Sequence, residues 1–567
     1  MRKTCPAACA LLVCPGRVME IPALVQSLDL SREDDVPSLD WLAASAEAPD
    51  SFWSALFEFV RERGPPLRSR PGKPQDLYHD AVLRHVATNR PALVWYERST
   101  ARSLSYAALD ARASACAAAW AQRGAKAGAP IALVLPLGPA FVVALAAALR
   151  LGLCVSVLEP AGPHALAARL EALGPAHVVV DPEDPPPLGD FDALVLPLVE
   201  NGPALRAPPY GYAPDEPCAR LFSPLRAPLL VPVDLPAARA LEDALRDAVF
   251  AYRIGPGDAL AAPDFPMQQH MPALLLSTWL AGATFVHLRK TDLEEDPTLL
   301  EPSPITVFGV APAVAAHLRR KPARLARLRH VFRSVDEPLD WIGHNEFVKK
   351  NDLARVPVSN VLVDAASGGC LLFSTRRPGS SNARALPAPG RPYLLLDAGG
   401  SGEPAVGATG VFVPLPGKEG FFILASLGAE SLYGSTLPPR RAARVYPASE
   451  VTARVSTLPG VVGAAVVPAP TGEPGARWAF LLVVFTGASD VPEKDVSALV
   501  SRTIREDLGD DFLPDRVFVF PLFPRRVGKE LDLDWCHRQY SSGILLRKAE
   551  SPVFRDLTAL RAQMLGT

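Results

Sequence analysis

Short, continuous apolar runs alternate along the chain with longer runs in which apolar residues recur every three or four positions. The first pattern is typical of buried strands, and the second is typical of helices that bury one face. From Asp76 onward the alternation is regular. It predicts, in order, a strand at Ala92–Glu97, a helix at Leu104–Gly124 with Ser105 as N-cap, a strand at Ile131–Pro136, a helix at Phe141–Gly152, a strand at Cys154–Pro160, a helix at Ala165–Gly174 and a strand at His177–Asp181. Strands joined through helices at this spacing predict parallel pairing in an α/β fold.

The remaining pattern divides the chain further. A second run of alternating elements covers about Pro217–Asp340, and short apolar pieces between Gly and Pro follow it. After Pro438 comes a stretch of about 100 residues with mixed strand and helix patterns, a usual size for one domain. We therefore predict an N-terminal extension and linker at 1–75, with an amphipathic helix at Phe52–Gly64, a large domain at 76–438 with a β-rich subdomain at 371–437, a small α+β domain at 439–540 and a tail at 541–567.

Composition limits the class of protein. The 567 residues are 49% hydrophobic and 21% charged, with a net charge of −2, so no broad basic surface for nucleic acid or anionic membrane is expected. No run approaches the roughly 20 apolar residues of a membrane span. The eight cysteines form no CxxC pair and no Cys/His metal spacing, which favours a reducing cytoplasm and no structural metal. The first 18 residues make a weak secretory signal, and Met19 is an alternative start to Met1.

Several blocks resemble the adenylate-forming superfamily of acyl- and aryl-CoA ligases, peptide-synthetase adenylation domains and luciferases, called ANL proteins. They are the stretch from Leu104 to Pro160, LSTWLAGATFVHL (Leu276–Leu288), LRHVFRSVDEPLD (Leu328–Asp340), GRPYLLLDAGGSGEPAVGATGVFV (Gly390–Val413), and VYPASEV (Val445–Val451) with FPRRVGKELD (Phe523–Asp532). Because these blocks keep the family's order, the resemblance implies its fold. That fold is a large N-terminal domain of mixed and parallel sheets with flanking helices and a β-rich subdomain, followed by a small, mobile α+β domain.

The family's ATP-binding motifs are degenerate here. The loop of Ser, Thr and Gly closed by a lysine, whose backbone N–H groups hold phosphate, is replaced by LFSPLRAPLLVP (Leu221–Pro232), in which three prolines remove three donors. A tyrosine-glycine-serine-threonine-glutamate run falls at VDAASGG (Val363–Gly369), so the metal-binding glutamate aligns near Ser367, which lacks the charge to hold Mg²⁺. The turn with the ribose-binding aspartate is missing between Gly410–Gly417 and Lys418–Ser426. We therefore expect no use of ATP or Mg²⁺ and no metal site.

A thioester chemistry is compatible with these losses. Family members pass an acyl group to the thiol of CoA or of carrier-protein phosphopantetheine, and a thioester donor is already activated. The resemblance therefore implies an ATP-independent acyltransferase that moves an acyl, and by analogy an aryl, group between CoA and an acyl carrier protein in secondary metabolism, similar in kind to the CoA-to-carrier transferases of bacterial quinolone pathways. An ATP-dependent acyl- or aryl-CoA ligase and an inactive, ligase-like scaffold remain alternatives.

Candidate site residues follow from the same alignment. Cys370 is the candidate nucleophile and His270 its candidate base, although free cysteines are mostly buried core residues and lone histidines are mostly surface or satisfied core residues. Lys529 matches the family's C-terminal lysine, and an ammonium group can stabilise charge on a developing oxyanion. The other candidates are the acyl-pocket residues Phe265, Met267, Ala365 and Ser367, and the CoA- or carrier-phosphate contacts Arg440, Arg441 and Arg526. Transfer could proceed through an acyl-cysteine or by direct attack of the incoming thiol.

Overall fold

A computed structural model gives the architecture of the protein. It describes residues 45, 48–97, 99–159, 161–186, 188, 191, 193–199, 201–225, 229–334, 341–376, 386–391, 393–396, 410–414, 421–423, 432–433, 440–441, 444–470, 478–487, 492–521, 523–524, 526–527, 530–532 and 535–536. The chain forms two compact units. The first is Met1–Pro160, Leu170–Pro186 and Asp192–Leu437, and the second is Ala161–Arg169, Pro187–Phe191 and Pro438–Thr567.

The predicted helices at 52–64, 104–124, 141–152 and 165–174 are present within a few residues, and other helices accompany them. They are α1 (Pro49–Glu62), α2 (Leu77–Ala81), α3 (Tyr106–Gln122), α4 (Pro139–Leu151), α5 (Pro163–Leu173), α6 (Ala237–Arg246), α7 (Met267–His270), α8 (Ala273–Leu280), α9 (Lys290–Glu295), α10 (Pro312–Arg320), α11 (Trp341–Lys350), α12 (Ala448–Val455) and α13 (Glu493–Asp507). A π-helical turn, Asp247–Ala251, continues α6, and 3₁₀ turns lie at Leu83–Thr88, Pro297–Leu300, Ala365–Ser367 and Asp510–Phe512. Over the described residues, no helix is both long enough and apolar enough to cross a bilayer.

The strands of the first unit are β1 (Pro91–Glu97), β2 (Thr100–Ser105), β3 (Pro130–Val134), β4 (Cys154–Leu158), β5 (His177–Val180), β6 (Leu194–Val195), β7 (Pro217–Leu221), β8 (Val233–Pro236), β9 (Ala259–Ala261), β10 (Thr284–His287), β11 (Val307–Gly309), β12 (His330–Ser334), β13 (Val358–Asp364), β14 (Gly369–Arg376), β15 (Leu386–Pro387), β16 (Tyr393–Leu396), β17 (Gly410–Pro414), β18 (Phe421–Ile423) and β19 (Leu432–Tyr433). Those of the second unit are β20 (Arg440–Arg441), β21 (Arg444–Val445), β22 (Gly463–Pro470), β23 (Trp478–Phe485), β24 (Arg516–Phe520), β25 (Arg526–Val527) and β26 (Glu530–Leu531).

The described strands of the first unit form two mainly parallel sheets and a small antiparallel one. The largest has nine strands in the order β15-β14-β13-β12-β11-β9-β10-β1-β2, and it is parallel from β13 to β1. The second has six strands in the order β6-β5-β3-β4-β7-β8, of which only the β7–β8 pair is antiparallel. Strands β16 to β19 form a four-stranded antiparallel sheet within the predicted β-rich subdomain. The α/β class and the mixed architecture expected from the sequence are therefore confirmed.

One apolar core runs through the first unit and includes side chains of both large sheets and of α1. The buried aromatic residues Phe52 and Trp53 of α1 pack in this core, with the Phe52 and Phe250 rings 6.2 Å apart. Ser105 caps α3 as predicted, since its hydroxyl accepts a hydrogen bond of 3.1 Å from the Ala108 N–H. The helix cap and the pattern of buried apolar residues therefore favour the same fold for this unit.

The second unit has an α+β architecture of its own. Strand β22 pairs antiparallel with β23, which pairs parallel with β24, and α12 and α13 supply the apolar residues that cover this sheet. Val451, Val500, Ile504 and Leu482 are buried together in its core. Two short ribbons, β20–β21 and β25–β26, complete the described strands of this unit.

Candidate active site

The candidate site lies where the parallel strands of the nine-stranded sheet end. Phe265 follows β9, Gly309 ends β11, and Asp364 ends β13. In open α/β sheets, ligands bind beyond the carboxyl ends of the strands, so this edge is the expected place for a site.

The structure brings together two predicted blocks that are almost 100 residues apart in sequence. The Gln269 side-chain amide of α7 donates a hydrogen bond of 3.1 Å to the carbonyl of Val363 at the end of β13. This bond holds α7, which carries Met267 and His270, next to the turn that carries the predicted pocket residues Ala365 and Ser367. All four of those residues are buried. Sequence reasoning missed Gln269, because nothing local indicates its distant backbone partner.

A chain of aromatic contacts runs from His270 of α7 to Tyr252. The Phe265 ring lies 4.9 Å from the His270 ring and 5.3 Å from the Phe332 ring, and Phe332 lies 5.0 Å from Tyr252. These are edge-to-face contacts at favourable spacing. Gly309 allows this packing, since a Cβ atom there would lie 2.7 Å from the Phe332 ring. The result is a continuous set of aromatic contacts beside Gly309, at the carboxyl end of β11.

The side chains of Cys370 and His270 form hydrogen bonds with different residues. The Cys370 thiol donates a weak hydrogen bond of 3.8 Å to the Tyr252 hydroxyl, whereas His270 Nδ1 lies 2.9 Å from the Pro266 carbonyl oxygen. Burial and then the nearby Asp247 carboxylate raise the pKa of the Cys370 thiol well above its ordinary value. The thiol therefore stays protonated at neutral pH, a state that disfavours nucleophilic attack.

A buried ionic cluster supports the turn behind Cys370. Arg246, with 1% of its side chain exposed, pairs with Asp243 and Asp247 at 2.7 Å, and its guanidinium donates a 2.8 Å hydrogen bond to the Cys370 carbonyl. The Cys370 N–H donates in turn to Asp247 at 2.6 Å. Burial opposes ionisation of Asp243, but Arg246, Arg391 and Arg239 together outweigh it and lower the pKa of this carboxyl. At Asp247, burial prevails and raises the pKa.

Two glycines let the turn approach this cluster. A Cβ atom on Gly368, whose φ is +107°, would lie 2.3 Å from the Asp243 carboxylate, and one on Gly369 would lie 2.1 Å from that of Asp247. Neither carboxylate could keep its position if the glycines were replaced. The signals that could have revealed this cluster are the GG pair and the opposite charges at positions 243, 246 and 247 of one helical run.

The other predicted contacts can be placed only in part. Arg440 and Arg441 form β20, and Arg526 lies in β25, where it pairs with Leu531. The structure describes the backbone of these three residues and not their side chains. Lys529 lies outside the described residues. Its role and those of the arginines remain predictions.

The overall fold is shared with known synthetases. The family model of AMP-binding enzymes matches residues 81–208. Acetoacetyl-CoA synthetase from Streptomyces lividans superposes with a TM-score of 0.60 at 17% identity, over 92% of each chain. The chain has the fold of the acyl-CoA synthetases. The ANL resemblance is therefore confirmed in fold, and by sequence over the matched residues.

A second solved structure with this fold is a double mutant of o-succinylbenzoate CoA synthetase from Bacillus subtilis, bound with a CoA-containing analogue of its product. It superposes with a TM-score of 0.63 at 15% identity, over 82% of this chain and 98% of the synthetase. A search of curated proteins by sequence finds no match. At this level of identity the comparison defines the fold of the chain and leaves its reaction to be argued from its own residues.

Proposed function

We propose that the protein transfers an acyl group, an aryl group in our assignment, between the thioesters of CoA and of an acyl carrier protein without using ATP. The observation that carries this proposal is the state of the segment at the phosphate-loop position. Phe222, Ser223 and Leu225 are buried, and the Ser223 hydroxyl accepts a 3.2 Å hydrogen bond from the Leu225 N–H. The segment contributes side chains to the interior, and Pro224 has no N–H to offer, whereas phosphate binding needs outward backbone donors.

The turn at the end of β13 supports the same conclusion. The Ser367 hydroxyl donates a hydrogen bond of 2.5 Å to the buried Asp364 carboxylate. Ser367 stands near the position at which ATP-using relatives carry a metal-binding glutamate, and it is bonded to a carboxylate here. A polyphosphate at this turn would meet the negative charge of Asp364 and gain no charged metal ligand from Ser367.

The chemistry that fits these residues is direct exchange of a thioester. The carrier thiol loses its proton and attacks the acyl carbonyl carbon, a new C–S bond forms, the C–S bond to CoA breaks, and the CoA thiolate takes up a proton. Because the Pro266 carbonyl can only accept, Nδ1 of His270 carries the ring proton and Nε2 keeps its lone pair, so we assign His270 as the base. The aromatic edges of Phe265, Phe332 and Tyr252 suit an aryl group, and we assign Lys529 to the oxyanion.

The first experiment is ATP–pyrophosphate exchange with a panel of aryl and alkyl acids, run beside transfer from aryl-CoA to a phosphopantetheinylated carrier protein and to free pantetheine. We expect transfer without pyrophosphate exchange. Exchange above background would instead identify an ATP-dependent ligase. Neither activity in a folded protein, with carrier binding retained, would identify a scaffold and overturn the proposal.

Replacing Cys370 with alanine separates direct from covalent transfer. Because the pKa of this buried thiol is raised, we expect Cys370→Ala to retain transfer within about threefold, whereas loss of an essential nucleophile costs several orders of magnitude. The measurement is the rate of transfer to pantetheine, together with intact-protein mass spectrometry after incubation with aryl-CoA. A stable acyl adduct on the native protein that Cys370→Ala abolishes together with activity would contradict direct transfer. Cys218→Ala, at another buried thiol, is the matched control.

A further inference from the structure

An unpaired polar atom lies at the candidate site. The side chain of Gln269 in α7 is fully buried, and its amide nitrogen donates a hydrogen bond to the Val363 carbonyl. Because a carbonyl oxygen only accepts, this bond fixes which end of the amide faces Val363 and turns the oxygen, Oε1, away from it. Among the residues that the structure describes, this Oε1 has no hydrogen-bond partner. A buried acceptor without a donor is costly, and a donor group on a bound molecule would remove that cost.

A second unpaired polar atom lies at the same edge of the nine-stranded sheet. Ser334 is the last residue of β12, and its hydroxyl oxygen is buried without a hydrogen-bond partner in the described part of the chain. Its register partner on β13 is Val361, two residues before the Val363 carbonyl that Gln269 binds. Since side chains alternate along a strand, Ser334 lies on the same face of the sheet as Phe332. Two unpaired polar atoms therefore accompany the aromatic contacts at this edge.

Position distinguishes Gln269 from an unpaired amide elsewhere in the fold. Gln75 is also buried, and its Oε1 likewise has no partner among the described residues. It pairs with Tyr212, whose hydroxyl donates to the Leu153 carbonyl just before β4 begins, so it lies near the amino end of the six-stranded sheet. Gln269 lies instead at the carboxyl ends of the parallel strands, beside the aromatic contacts. Apolar surroundings with a few polar groups are typical of a small-molecule site.

We propose that Gln269 Oε1 selects acyl groups that carry a hydrogen-bond donor, namely aryl groups with a hydroxyl or amino substituent on the ring. This inference rests on the proposed function, because it concerns the acyl group that the transfer reaction moves. The ring packs against the edges of Phe265 and Phe332, and its O–H or N–H supplies the donor that Oε1 lacks. An unsubstituted or methyl-substituted ring leaves Oε1 buried and unpaired, and sites built in this way reject such analogues strongly.

The test compares ring substituents that differ in hydrogen-bonding capacity. The donors are benzoyl-CoA and its ortho-, meta- and para-hydroxy, amino, methyl and methoxy derivatives, and kcat/KM is measured for transfer to free pantetheine. Dissociation constants of non-transferable thioether analogues of these donors are measured by calorimetry.

Two variants at Gln269 and one control separate recognition from structure. Gln269→Met keeps the size of the side chain and removes its polar atoms. Gln269→Glu, protonated because it is buried, can donate to the Val363 carbonyl through its O–H and keep a carbonyl oxygen as acceptor. Gln75→Met makes the same change as Gln269→Met at the other unpaired amide.

At one ring position, we expect the hydroxy or amino derivative to exceed its methyl counterpart by about 10- to 100-fold in kcat/KM. The methoxy derivative, which accepts but cannot donate, should behave like the methyl one. Gln269→Met should reduce this preference to about threefold or less, whereas Gln269→Glu and Gln75→Met should keep it. The preference is a ratio between substrates, so it is informative even where a variant lowers transfer of every substrate by disturbing α7.

Absence of a preference at every ring position in the native protein would overturn the inference, whether or not Gln269→Met folds. An equal loss for all donors in Gln269→Met, with the preference retained, would also overturn it, because Oε1 would then serve the pantetheine arm, a water molecule or the fold of α7. The proposed function is decided separately. Absence of transfer by the native protein would contradict that function, whereas the dissociation constants of the thioether analogues would still decide the role of Gln269.

Discussion

Replacing Arg246 with alanine is expected to lower the free energy of unfolding of the first unit by about 3–5 kcal/mol. The guanidinium is fully buried and is paired with Asp243, Asp247 and the Cys370 carbonyl. Its removal takes the Arg246 ion pair from Asp247, leaves Asp243 with Arg391 at 2.9 Å and Arg239 at 3.5 Å, and leaves the Cys370 carbonyl without its donor. Each such group loses hydration without regaining an equivalent interaction, which makes the broken cluster costly.

A matched pair on the surface provides the control. Arg61 pairs with Glu58 at 2.6 Å with the same three-residue spacing as Arg246 and Asp243, but these side chains are 28% and 57% exposed. Arg61→Ala should cost about 1 kcal/mol or less, as for other exposed pairs. Urea unfolding followed by tryptophan fluorescence measures both variants. Similar losses for Arg61→Ala and Arg246→Ala would show that burial does not give the cluster its importance.

A second arm tests the charge itself. Adding Asp247→Asn to Arg246→Ala removes the carboxylate that has lost its Arg246 ion pair and should restore part of the lost stability. If the double variant is less stable than Arg246→Ala by the full cost of Asp247→Asn alone, the two residues act independently and the cluster is not the cause.

The buried cluster also shows which parts of the molecule its sequence could predict. Helix α3, its Ser105 cap and the parallel strands around it follow from local spacing and capping chemistry, and they were predicted within a few residues. A set of opposite charges at positions 243, 246 and 247 usually marks a solvated helix face. Here the charges are buried because Cys370, more than 120 residues away, supplies backbone partners. No local pattern contains that information.

In the candidate site, too, local sequence blocks could be predicted and long-range contacts could not. The blocks containing His270 and Ser367 could be placed in one pocket by resemblance, and the structure holds them together through Gln269. The rings of Tyr252, after a π-helical turn, and of Phe332, on a strand, were not predicted, because aromatic residues at such positions are usually ordinary core until the neighbouring strand ends are known. The candidate residues could therefore be named from the sequence, whereas predicting which of them are in contact requires the order of the strands in the sheet.

Acidification from pH 7 to pH 5 is expected to destabilise the first unit through two buried histidines. Burial lowers the pKa of His85 to about 3 and that of His330 to about 3, against about 6.5 in an unfolded chain. Neighbouring arginines act in the same direction, Arg84 on His85 and Arg253 on His330. His330 also lies 2.9 Å from the buried Ser359 hydroxyl, and a Cβ atom on Gly282 would lie 2.8 Å from the His85 ring, so neither ring has room for a new shell of water.

The direction of the change in stability with pH follows from the number of protons that the folded and unfolded chains bind. Between pH 6.5 and 3 the unfolded chain binds a proton at each of these histidines and the folded chain does not, so stability is complete above pH 6.5 and is lost as the pH falls. At about 1.4 kcal/mol per pH unit for each group, the loss by pH 5 is about 2 kcal/mol per histidine. Burial raises the pKa of Asp247, which acts in the opposite direction, so the comparison is made between variants and not from one absolute slope.

The measurement is the urea midpoint of His85→Gln/His330→Gln and of the native protein at pH 7 and pH 5. Glutamine cannot take up a proton, so the double variant should lose about 4 kcal/mol less than the native protein between the two pH values. His164→Gln, at an exposed histidine, is the matched control. A change in pH dependence as large for His164→Gln as for the double variant would contradict the assignment, because the effect could then not come from imidazoles enclosed in the core. A smaller pH dependence confined to the double variant would show that the interior of this fold keeps both imidazoles neutral.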